Sequence, residues 1–338
     1  MANYYEEIRE EGKALTRLNE YLQREGFSKS LDLDPDRIDK VVFTGMGSSY
    51  FAAFPAVMYL NEHKIESYII PANRLLYYYR NIVGENTLLI LVSQSGESIE
   101  IKELLEVFSN HDLKIGVTNT EDSTLSKRVK RRVFLKAGKE ESTTSKTYIN
   151  TLAALLKIGE ILTKEDRFEF EAISKKVEGY IQDEVSMVKV FNPYFLGTGH
   201  TLLLGRGPSL STVFQGALIL KEAAHFHAEG FDSYDFRHGP LDIVTEGFRV
   251  IMFSPYDREE AFKKDIALAK KIISQGGTVL LVTNKEVQGG IPTYIIKDEP
   301  YTLPFYEIIP LQFMSCHIGW AKGMEPGALY NIGKVVTK

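Results

Sequence analysis

The sequence lacks the features that would indicate a secreted, membrane or redox-active protein. Its 338 residues include one cysteine, Cys316, so no internal disulfide can form, which favours a reducing compartment. No stretch reaches the roughly 18 consecutive apolar residues that a membrane span needs. The N-terminus is acidic and polar and has no signal-peptide core. We therefore expect a cytoplasmic protein that does not bind membranes.

An excess of positive charge is also missing. The formal net charge is −5, which gives no electrostatic reason to expect a nucleic acid partner. The one basic run, Lys127–Arg132, leads directly into the apolar residues Val133–Leu135 and has no aromatic residues between its charges. This context favours a solvated face beside a strand over a nucleic acid contact.

What is present is the composition and the pattern of an α/β protein. Hydrophobic residues make up 44% and charged residues 25% of the chain, which is typical of soluble globular domains. The spacing predicts an amphipathic helix over residues 4–25, and helices over 145–162 and 165–188. Between the first two, helical patterns alternate with short apolar segments that predict strands at 41–43, 67–70, 88–92, 114–117 and 133–135.

The second half of the chain repeats the order of the first. Leu202–Ser209 matches Val41–Ser48, Val250–Ser254 matches Leu89–Ser93, and both halves have a strand that ends in Val-Thr-Asn. The repeat predicts two α/β units with parallel, flavodoxin-like or Rossmann-like sheets flanked by helices. The expected domains are an N-terminal helical segment (1–39), a first α/β domain (40–165), a helical connection (166–200), a second α/β domain (201–325) and a C-terminal tail (326–338).

A serine-rich loop follows the most apolar strand of the first half. Ser93–Ser98 combines hydroxyls, a glutamine amide and Gly96 at the point where a helix is expected to begin. Backbone N–H groups, hydroxyls and the helix dipole converge there, which favours a bound phosphate. Ser48 and Ser49 follow the neighbouring strand in the same way. The alternative is ordinary serine N-capping, but two such loops favour the phosphate site.

The corresponding loop of the second half differs. It contains Pro255, which removes a backbone donor, and Asp257, whose charge repels phosphate. We expect that only the first half retains an anion site. The glycines at 45–47 lack the third glycine of a dinucleotide fingerprint, and no Gly-Lys-Ser/Thr motif is present, so no nucleotide cofactor is expected.

A second polar cluster lies at 221–241. Glu222 and His225 are three residues apart and would share a helix face, whereas His225 and His227 are two apart, which argues against a metal pair. His238 lies in a loop closed by Gly-Pro. A carboxylate and a histidine are what proton transfer between adjacent carbons requires. The residues alone leave structural ion pairing as an equal alternative.

Together these segments resemble a known family. The chain is similar to the double SIS-domain sugar-phosphate enzymes, in particular to the isomerase half of glucosamine-6-phosphate synthase, from about residue 40 to the C-terminus. The similar segments are Gly47–Ser49, Ser93–Ser98, Ser142–Lys146, Gly216–Glu222, His227–Glu229, His238–Leu241 and Asn331–Thr337.

The resemblance implies a role for each matched position. Glu222 would carry a proton between C1 and C2 of the open-chain sugar, and His238, supplied by the other subunit of a homodimer, would assist ring opening. Lys334 would close over the site near C1. Phosphate contacts would come from Ser48, Ser49, Ser93, Gln94, Ser95 and Ser98, and further sugar contacts from Gly47, Ser142, Thr143 and Thr144. No metal and no cofactor are implied.

Two departures from the family pattern choose between its members. Residue 2 is Ala2, where the synthase has its glutaminase nucleophile, and Ile219 replaces a lysine that serves amine chemistry in the synthase. The favoured hypothesis is therefore a glucosamine-6-phosphate deaminase. A fructosamine-6-phosphate deglycase or another amino- or ketose-phosphate isomerase is the second hypothesis. A non-catalytic sugar-phosphate sensor is the third.

Overall fold

The computed structural model describes residues 4–197, residues 199–330 and Gly333. These residues form two compact units. The main part of the N-terminal unit is Glu10–Lys175, and the C-terminal unit comprises Lys176–Leu329 together with the first helix, α1 (Tyr4–Arg9). Each unit has its own sheet and its own hydrophobic core.

The N-terminal unit contains a five-stranded sheet in which all neighbouring strands are parallel. Its strands are β1 (Lys40–Gly45), β2 (Ser67–Pro71), β3 (Thr87–Val92), β4 (Lys114–Thr118) and β5 (Arg131–Phe134), in the order β2-β1-β3-β4-β5. Every residue of β3 is buried, as expected for a central parallel strand that is covered on both faces. The helices of this unit are α2 (Glu11–Gln23), α3 (Phe27–Ser30), α4 (Ser48–Phe51), α5 (Phe54–Glu62), α6 (Ala72–Tyr77), α7 (Ile99–Val107), α8 (Thr124–Arg128) and α9 (Lys146–Thr163).

Helix α10 (Phe170–Gln182) carries the chain from one unit to the next. The strands of the C-terminal unit are β6 (His200–Gly205), β7 (His227–Asp232), β8 (Arg249–Phe253), β9 (Thr278–Thr283) and β10 (Thr293–Ile295), all parallel, in the order β10-β9-β8-β6-β7. Its remaining helices are α11 (Glu184–Phe191), α12 (Leu210–Ala224), α13 (Ser233–Phe236), α14 (Glu259–Ser274) and α15 (Leu303–Ala321).

The two sheets have the same topology when their strands are numbered within each unit. Both follow the order 2-1-3-4-5, which is the flavodoxin-like doubly wound arrangement. The predicted fold class, two tandem α/β units with parallel sheets, is therefore confirmed. In this topology the chain leaves the first strand in one direction and the third strand in the other. The point between these two strands is the topological switch point, where such sheets bind ligands.

Several element boundaries differ from the prediction. The helix expected over 4–25 is two helices, α1 and α2, and the segment after Gly47 also forms two, α4 and α5. The stretch 165–188 contains α10 and the start of α11. Strands β7 and β10 were not predicted, because β7 is polar and half exposed and β10 has three residues.

Helix α15 explains the apolar stretch near the C-terminus. It is buried within the C-terminal unit and packs on α12, where a Cβ atom on Gly216 would lie 2.3 Å from Leu311 Cδ1. Cys316 lies on this helix, and burial raises the pKa of its thiol. Core packing thus accounts for this hydrophobic stretch. Among the described residues, no helix has the length and apolarity that crossing a membrane requires.

Candidate functional site

The switch point of the N-terminal unit lies between the ends of β1 and β3. Gly45 ends β1, and a Cβ atom there would lie 2.9 Å from the Val92 carbonyl oxygen at the end of β3. The glycine therefore lets the two strand ends approach closely. As a result, the loop carrying Ser48 and Ser49 and the loop Ser93–Ser98 leave the sheet at the same edge, side by side.

The Ser93–Ser98 loop is a tight turn held by its own hydroxyls. Ser93 Oγ lies 3.0 Å from Ser98 Oγ and accepts a hydrogen bond from the Gly96 N–H at 3.1 Å. Ser95 Oγ accepts one from the Glu97 N–H at 3.1 Å. Helix α7 begins at Ile99 with Ser98 as its N-cap. The first N–H groups of α7, which lack intrahelical acceptors, follow this loop directly.

Gly96 makes the turn possible. Its φ of +66° lies in the left-handed region, and a Cβ atom would lie 2.2 Å from Ser123 Oγ. No other residue type fits there without displacing Ser123.

The negative charge of Glu97 is compensated by neighbouring donors. Its carboxylate accepts hydrogen bonds from the Thr124 N–H at 2.6 Å and Thr124 Oγ1 at 3.0 Å, and it pairs with Lys102 at 2.8 Å. The hydrogen bond from Lys102 lowers the pKa of Glu97, so the carboxylate is ionised and its charge is compensated. The loop can therefore present neutral donors to an anion.

The backbone of Gln94 ties the loop to the next strand. Its carbonyl oxygen accepts hydrogen bonds from the Asn119 N–H at 2.9 Å and from Thr118 Oγ1 at 3.1 Å. Ser48 and Ser49 begin α4 after Gly47, whose φ is +51°, and both serines are half-buried. The structure thus brings all six residues predicted to contact phosphate to one edge of one sheet.

The segment Ser142–Thr144 follows β5 and leads into α9. Ser142 and Thr143 are buried, and Thr144 is half-buried. The buried Glu140 carboxylate fixes the start of α9 by accepting hydrogen bonds from the N–H groups of Ser145 and Thr147, each at 3.0 Å. In the described part of the chain, the buried Thr143 hydroxyl has no hydrogen-bond partner.

Glu222 lies in the last turn of α12, in the C-terminal unit, and is half-buried. The helix ends at Ala224, and His225 follows in the left-handed conformation with φ of +44°. The expectation that Glu222 and His225 share a helix face is therefore wrong, because His225 lies beyond the helix end. Lys322 Nζ donates to the carbonyl oxygens of Ala224 at 3.0 Å and His225 at 2.8 Å, which fixes the turn that carries Glu222.

His238 is exposed and lies in a loop, as predicted. Its N–H donates to the Asp235 carbonyl oxygen at 3.0 Å, and Gly239, with φ of +129°, turns the chain after it. His227 lies on β7 with an exposed side chain. Over residues 4–197 and 199–330, no group of three or more metal-binding side chains occurs. The predicted position Lys334 lies outside the described residues.

The switch point of the C-terminal unit, between β6 and β8, is filled by the unit's own side chains. Arg206 is 5% exposed, and its Nε lies 2.6 Å from Asp265 Oδ2 while its Nη1 lies 2.5 Å from Asp257 Oδ1. Asp265 also accepts hydrogen bonds from Ser233 Oγ and Ser254 Oγ, each at 2.7 Å. An arginine and two carboxylates thus occupy the edge where the N-terminal unit presents hydroxyls.

A buried carboxylic acid on α15, which contacts the start of α12, was not predicted from the sequence. Glu307 accepts hydrogen bonds from Ser209 Oγ and Thr212 Oγ1, each at 2.9 Å, and complete burial raises its pKa to about 7. Its position on the apolar helix α15 is the only sequence signal that could have singled it out, since a carboxylate on such a helix requires buried partners.

Comparison with known proteins agrees with this architecture. The family model described as SIS domain matches residues 37–157 and 195–318. The glutamine–fructose-6-phosphate aminotransferase of Sulfurisphaera tokodaii is 27% identical over 303 residues, which cover 88% of this chain and 50% of that protein. The enzyme of the same name from Thermococcus kodakarensis is 25% identical over 316 residues, covering 88% of this chain and 52% of that protein. The chain spans about half the length of these curated relatives.

Solved structures show the same fold over nearly the whole chain. The C-terminal domain of glucosamine-fructose-6-phosphate aminotransferase from Francisella tularensis matches with a TM-score of 0.82 and 23% identity, covering 97% of this chain and 98% of that one. Glucosamine-6-phosphate deaminase from Thermotoga maritima matches with a TM-score of 0.77 and 21% identity, covering 98% and 99%. Tagatose-6-phosphate ketose/aldose isomerase from Escherichia coli matches with a TM-score of 0.79 and 16% identity, covering 98% and 96%.

Proposed function

Because the chain belongs to the SIS-domain family, we propose that it is a sugar-phosphate enzyme that deaminates glucosamine 6-phosphate to fructose 6-phosphate and ammonia. The observation that carries this proposal is the neutral cradle at the switch point of the N-terminal unit. Its hydroxyls and amides come from two adjacent loops, and its one carboxylate, Glu97, is paired with Lys102. Such a cradle suits a phosphate group.

In this proposal the phosphate anchors the substrate and leaves C1 and C2 free to react. The side chains of Ser48, Ser49, Ser93, Ser95 and Ser98 donate hydrogen bonds to the phosphate oxygens, with the amide of Gln94 and the first N–H groups of α7. Gly47 lets the backbone approach the substrate closely, and Ser142, Thr143 and Thr144 form hydrogen bonds with the sugar. Binding energy from the remote phosphate then serves to orient the reacting carbons.

The chemical steps require one base, one acid and water. His238 protonates the ring oxygen as the sugar ring opens to the aldehyde. The Glu222 carboxylate moves a proton from C2 to C1, and a second proton passes from the C2 amino group to the C1 oxygen. The aldehyde thereby becomes an alcohol and C2 becomes an imine. Water adds to C2, and ammonia leaves with the C2–N electron pair, which gives the ketone. Lys334 contacts the oxygen at C1, and His238 acts from a second copy of the chain in a homodimer.

A second candidate function rests on Ile219. This residue is fully buried on α12, three residues before Glu222, and it offers no group that could assist an amine. The proton transfer by Glu222 needs no such group. An isomerase that interconverts aldose and ketose phosphates, or a deglycase acting on fructosamine 6-phosphate, would use the same cradle and the same carboxylate with a different substituent on the reacting carbons.

The test is a coupled assay of the purified protein with glucosamine 6-phosphate, in which ammonia and fructose 6-phosphate are measured together. We expect equal amounts of both products. The Glu222→Gln variant should lose at least 100-fold in kcat, the lower end for removal of a general base. Glu260→Gln serves as the matched control, since the Glu260 side chain is 81% exposed and pairs with Lys263 on the surface.

Each other outcome of this assay points to a defined alternative. Turnover of fructosamine 6-phosphate or of an aldose phosphate, without ammonia release from glucosamine 6-phosphate, would replace the deaminase by the second candidate. No turnover but tight sugar-phosphate binding would support a sensor. If the protein showed no turnover and no sugar-phosphate binding, the sugar-phosphate proposal as a whole would be contradicted.

A further inference from the structure

A pocket separate from the serine loop lies in the N-terminal unit, where β4 and β5 end beside α2. Its volume is about 570 Å³, which is within the range of small-molecule sites. It does not include any of the residues predicted from the sequence to bind substrate. The lining residues are Arg17, Glu20, Tyr21, Asn119, Glu121, Lys136 and Gly138.

The floor of this pocket is a turn that contains a residue with a strained backbone. Lys136 has a φ of +53°, an unfavourable conformation for a residue with a Cβ atom. Arg17 holds the turn by donating from Nε to the Lys136 carbonyl oxygen at 3.3 Å and from Nη2 to the Ala137 carbonyl oxygen at 3.1 Å. Asn119 holds its other side, with Nδ2 on the Gly138 carbonyl oxygen at 2.7 Å. A residue in this conformation persists only where the surrounding contacts hold it.

Hydrogen-bond donors remain available in this pocket. Among the described residues, Arg17 has no carboxylate within ion-pair distance, so its Nη1 group is open to a ligand. The Tyr21 oxygen accepts a hydrogen bond from the Phe134 N–H at 3.5 Å, and its own hydrogen has no acceptor in the described part of the chain. The Lys136 ammonium pairs with Glu121 and lies 5.1 Å from the centre of the Tyr21 ring.

One hydrogen-bond acceptor is also available. Glu20 lies three residues after Arg17 on α2, so the two side chains are neighbours on the helix surface. Within the described residues its carboxylate has no ion-pair partner. A ligand that satisfies both groups needs an anionic end for Arg17 and Tyr21 and a hydroxyl for Glu20.

We propose that this pocket is a second ligand site, which binds a phosphate ester that carries free hydroxyl groups. The phosphate lies against Arg17 and Tyr21, and a hydroxyl donates to Glu20. The site is separate from the proposed catalytic one, but Asn119 connects the two. Its side chain holds the floor of the pocket, and its N–H donates to the Gln94 carbonyl oxygen of the serine loop. A ligand that shifts Asn119 therefore also acts on the serine loop.

The experiment isolates the pocket from the serine loop. The full chain carries Glu222→Gln, which slows turnover at least 100-fold, and Ser98→Asp, which keeps a favoured N-cap on α7 but repels phosphate. Glucosamine 6-phosphate and inorganic phosphate are the two probes, titrated by calorimetry. We expect one remaining site per chain, at which the sugar phosphate binds at least 10-fold more tightly than inorganic phosphate. Adding Arg17→Met should weaken both ligands at least 10-fold.

Glu20→Gln is the second variant, because its carboxylate has no partner in the described fold and its replacement should leave the melting temperature unchanged. It should weaken the sugar phosphate several-fold and leave inorganic phosphate binding unaltered. The proposal is overturned if the Glu222→Gln/Ser98→Asp protein binds neither probe, if Arg17→Met does not change the affinity, or if the two probes bind equally. These results do not depend on turnover, so they are distinct from failure of the proposed function.

Discussion

The two units have the same sheet topology, but their switch points carry different side chains. In the N-terminal unit, the loops after β1 and β3 present hydroxyls and backbone N–H groups around a glycine turn. In the C-terminal unit, the loops after β6 and β8 are joined by Arg206, Asp257 and Asp265. The first edge carries the hydroxyls and amides that we propose bind phosphate, whereas the second is occupied by an internal ion-pair network. The sheet topology therefore fixes where a ligand can bind, and the loop residues decide whether one does.

The largest effect is expected from breaking the ion-pair network of the second switch point. Arg206→Met should lower the free energy of unfolding by about 3–5 kcal/mol, because Asp265, which is 2% exposed, would keep its charge without a cationic partner. Urea denaturation measures this loss. Lys263→Met is the control, since the ion pairs of Lys263 are exposed to solvent and their loss should change stability little. A loss below about 1 kcal/mol for Arg206→Met would show that the network does not hold this edge.

The second effect concerns the fifth residue of the last helix in each unit, which is Asn150 on α9 and Glu307 on α15. Burial raises the pKa of Glu307 from 4.5 to about 7, so the folded protein binds a proton that the unfolded chain has released. Stability should therefore fall as the pH rises from about 4.5 to 7, by up to about 3 kcal/mol.

Glu307→Gln tests this pH dependence, since a neutral amide can accept a hydrogen bond from one of the Ser209 and Thr212 hydroxyls and donate one to the other. Unfolding free energies at pH 5 and pH 8 should differ less in the variant than in the wild type. Asn150, at the equivalent position of the N-terminal unit, donates to the carbonyl oxygens of Ala14 and Leu135. Its amide does not titrate, so it contributes no pH dependence to stability. If the unfolding free energy changed as much between pH 5 and pH 8 in the variant as in the wild type, Glu307 would not be the source of the pH dependence.

The first switch point depends on its glycine. Gly96→Ala places a Cβ atom 2.2 Å from Ser123 Oγ, whereas Gly26→Ala, at a similar positive φ, places one in open space. We expect Gly96→Ala to lose about 2 kcal/mol more stability than Gly26→Ala, and also to weaken sugar-phosphate binding. Thermal unfolding and calorimetry measure the two effects. Equal losses of stability would mean that the turn adapts to a side chain.

The smallest effect is the most informative comparison, because Ser93 and Ser254 follow equivalent strands. Ser93→Ala should weaken sugar-phosphate binding about 5- to 10-fold, the equivalent of one hydrogen bond of about 1 kcal/mol. Ser254→Ala should instead lower stability by about 1–2 kcal/mol, because Ser254 donates to the buried Asp265 carboxylate. Its sugar-phosphate affinity should not change. An unchanged sugar-phosphate affinity in Ser93→Ala, or a weakened affinity in Ser254→Ala, would contradict this difference in role.

Much of the fold could be predicted from the sequence, because its central strands are continuous apolar segments. β3 is one example, and the shared Val-Thr-Asn ending of β4 and β9 made the repeat visible. The edge strands were harder to detect. β7 has alternating polar residues and an exposed His227, and β10 is short, so neither has the apolar pattern of a buried strand.

The candidate site divides in the same way. The phosphate loop is local in sequence, and hydroxyls next to an apolar strand were enough to find it. Residues that act through distant partners left no such signal. Arg17 donates hydrogen bonds to the carbonyl oxygens of Lys136 and Ala137, which are 119 and 120 residues away in the sequence. Arg206 pairs with Asp265, which is 59 residues away. The end of α12 at Ala224 also escaped prediction, because the left-handed residue there is His225 and not a glycine.

The most direct test of the account is a crystal structure of the Glu222→Gln variant with glucosamine 6-phosphate. We predict a phosphate within hydrogen-bond distance of Ser95 and Ser98 in the N-terminal unit, with Arg206 still paired to Asp257 and Asp265 in the other. A phosphate bound at Arg206, or a serine loop left empty at saturating ligand, would contradict the central claim that only the first switch point binds substrate.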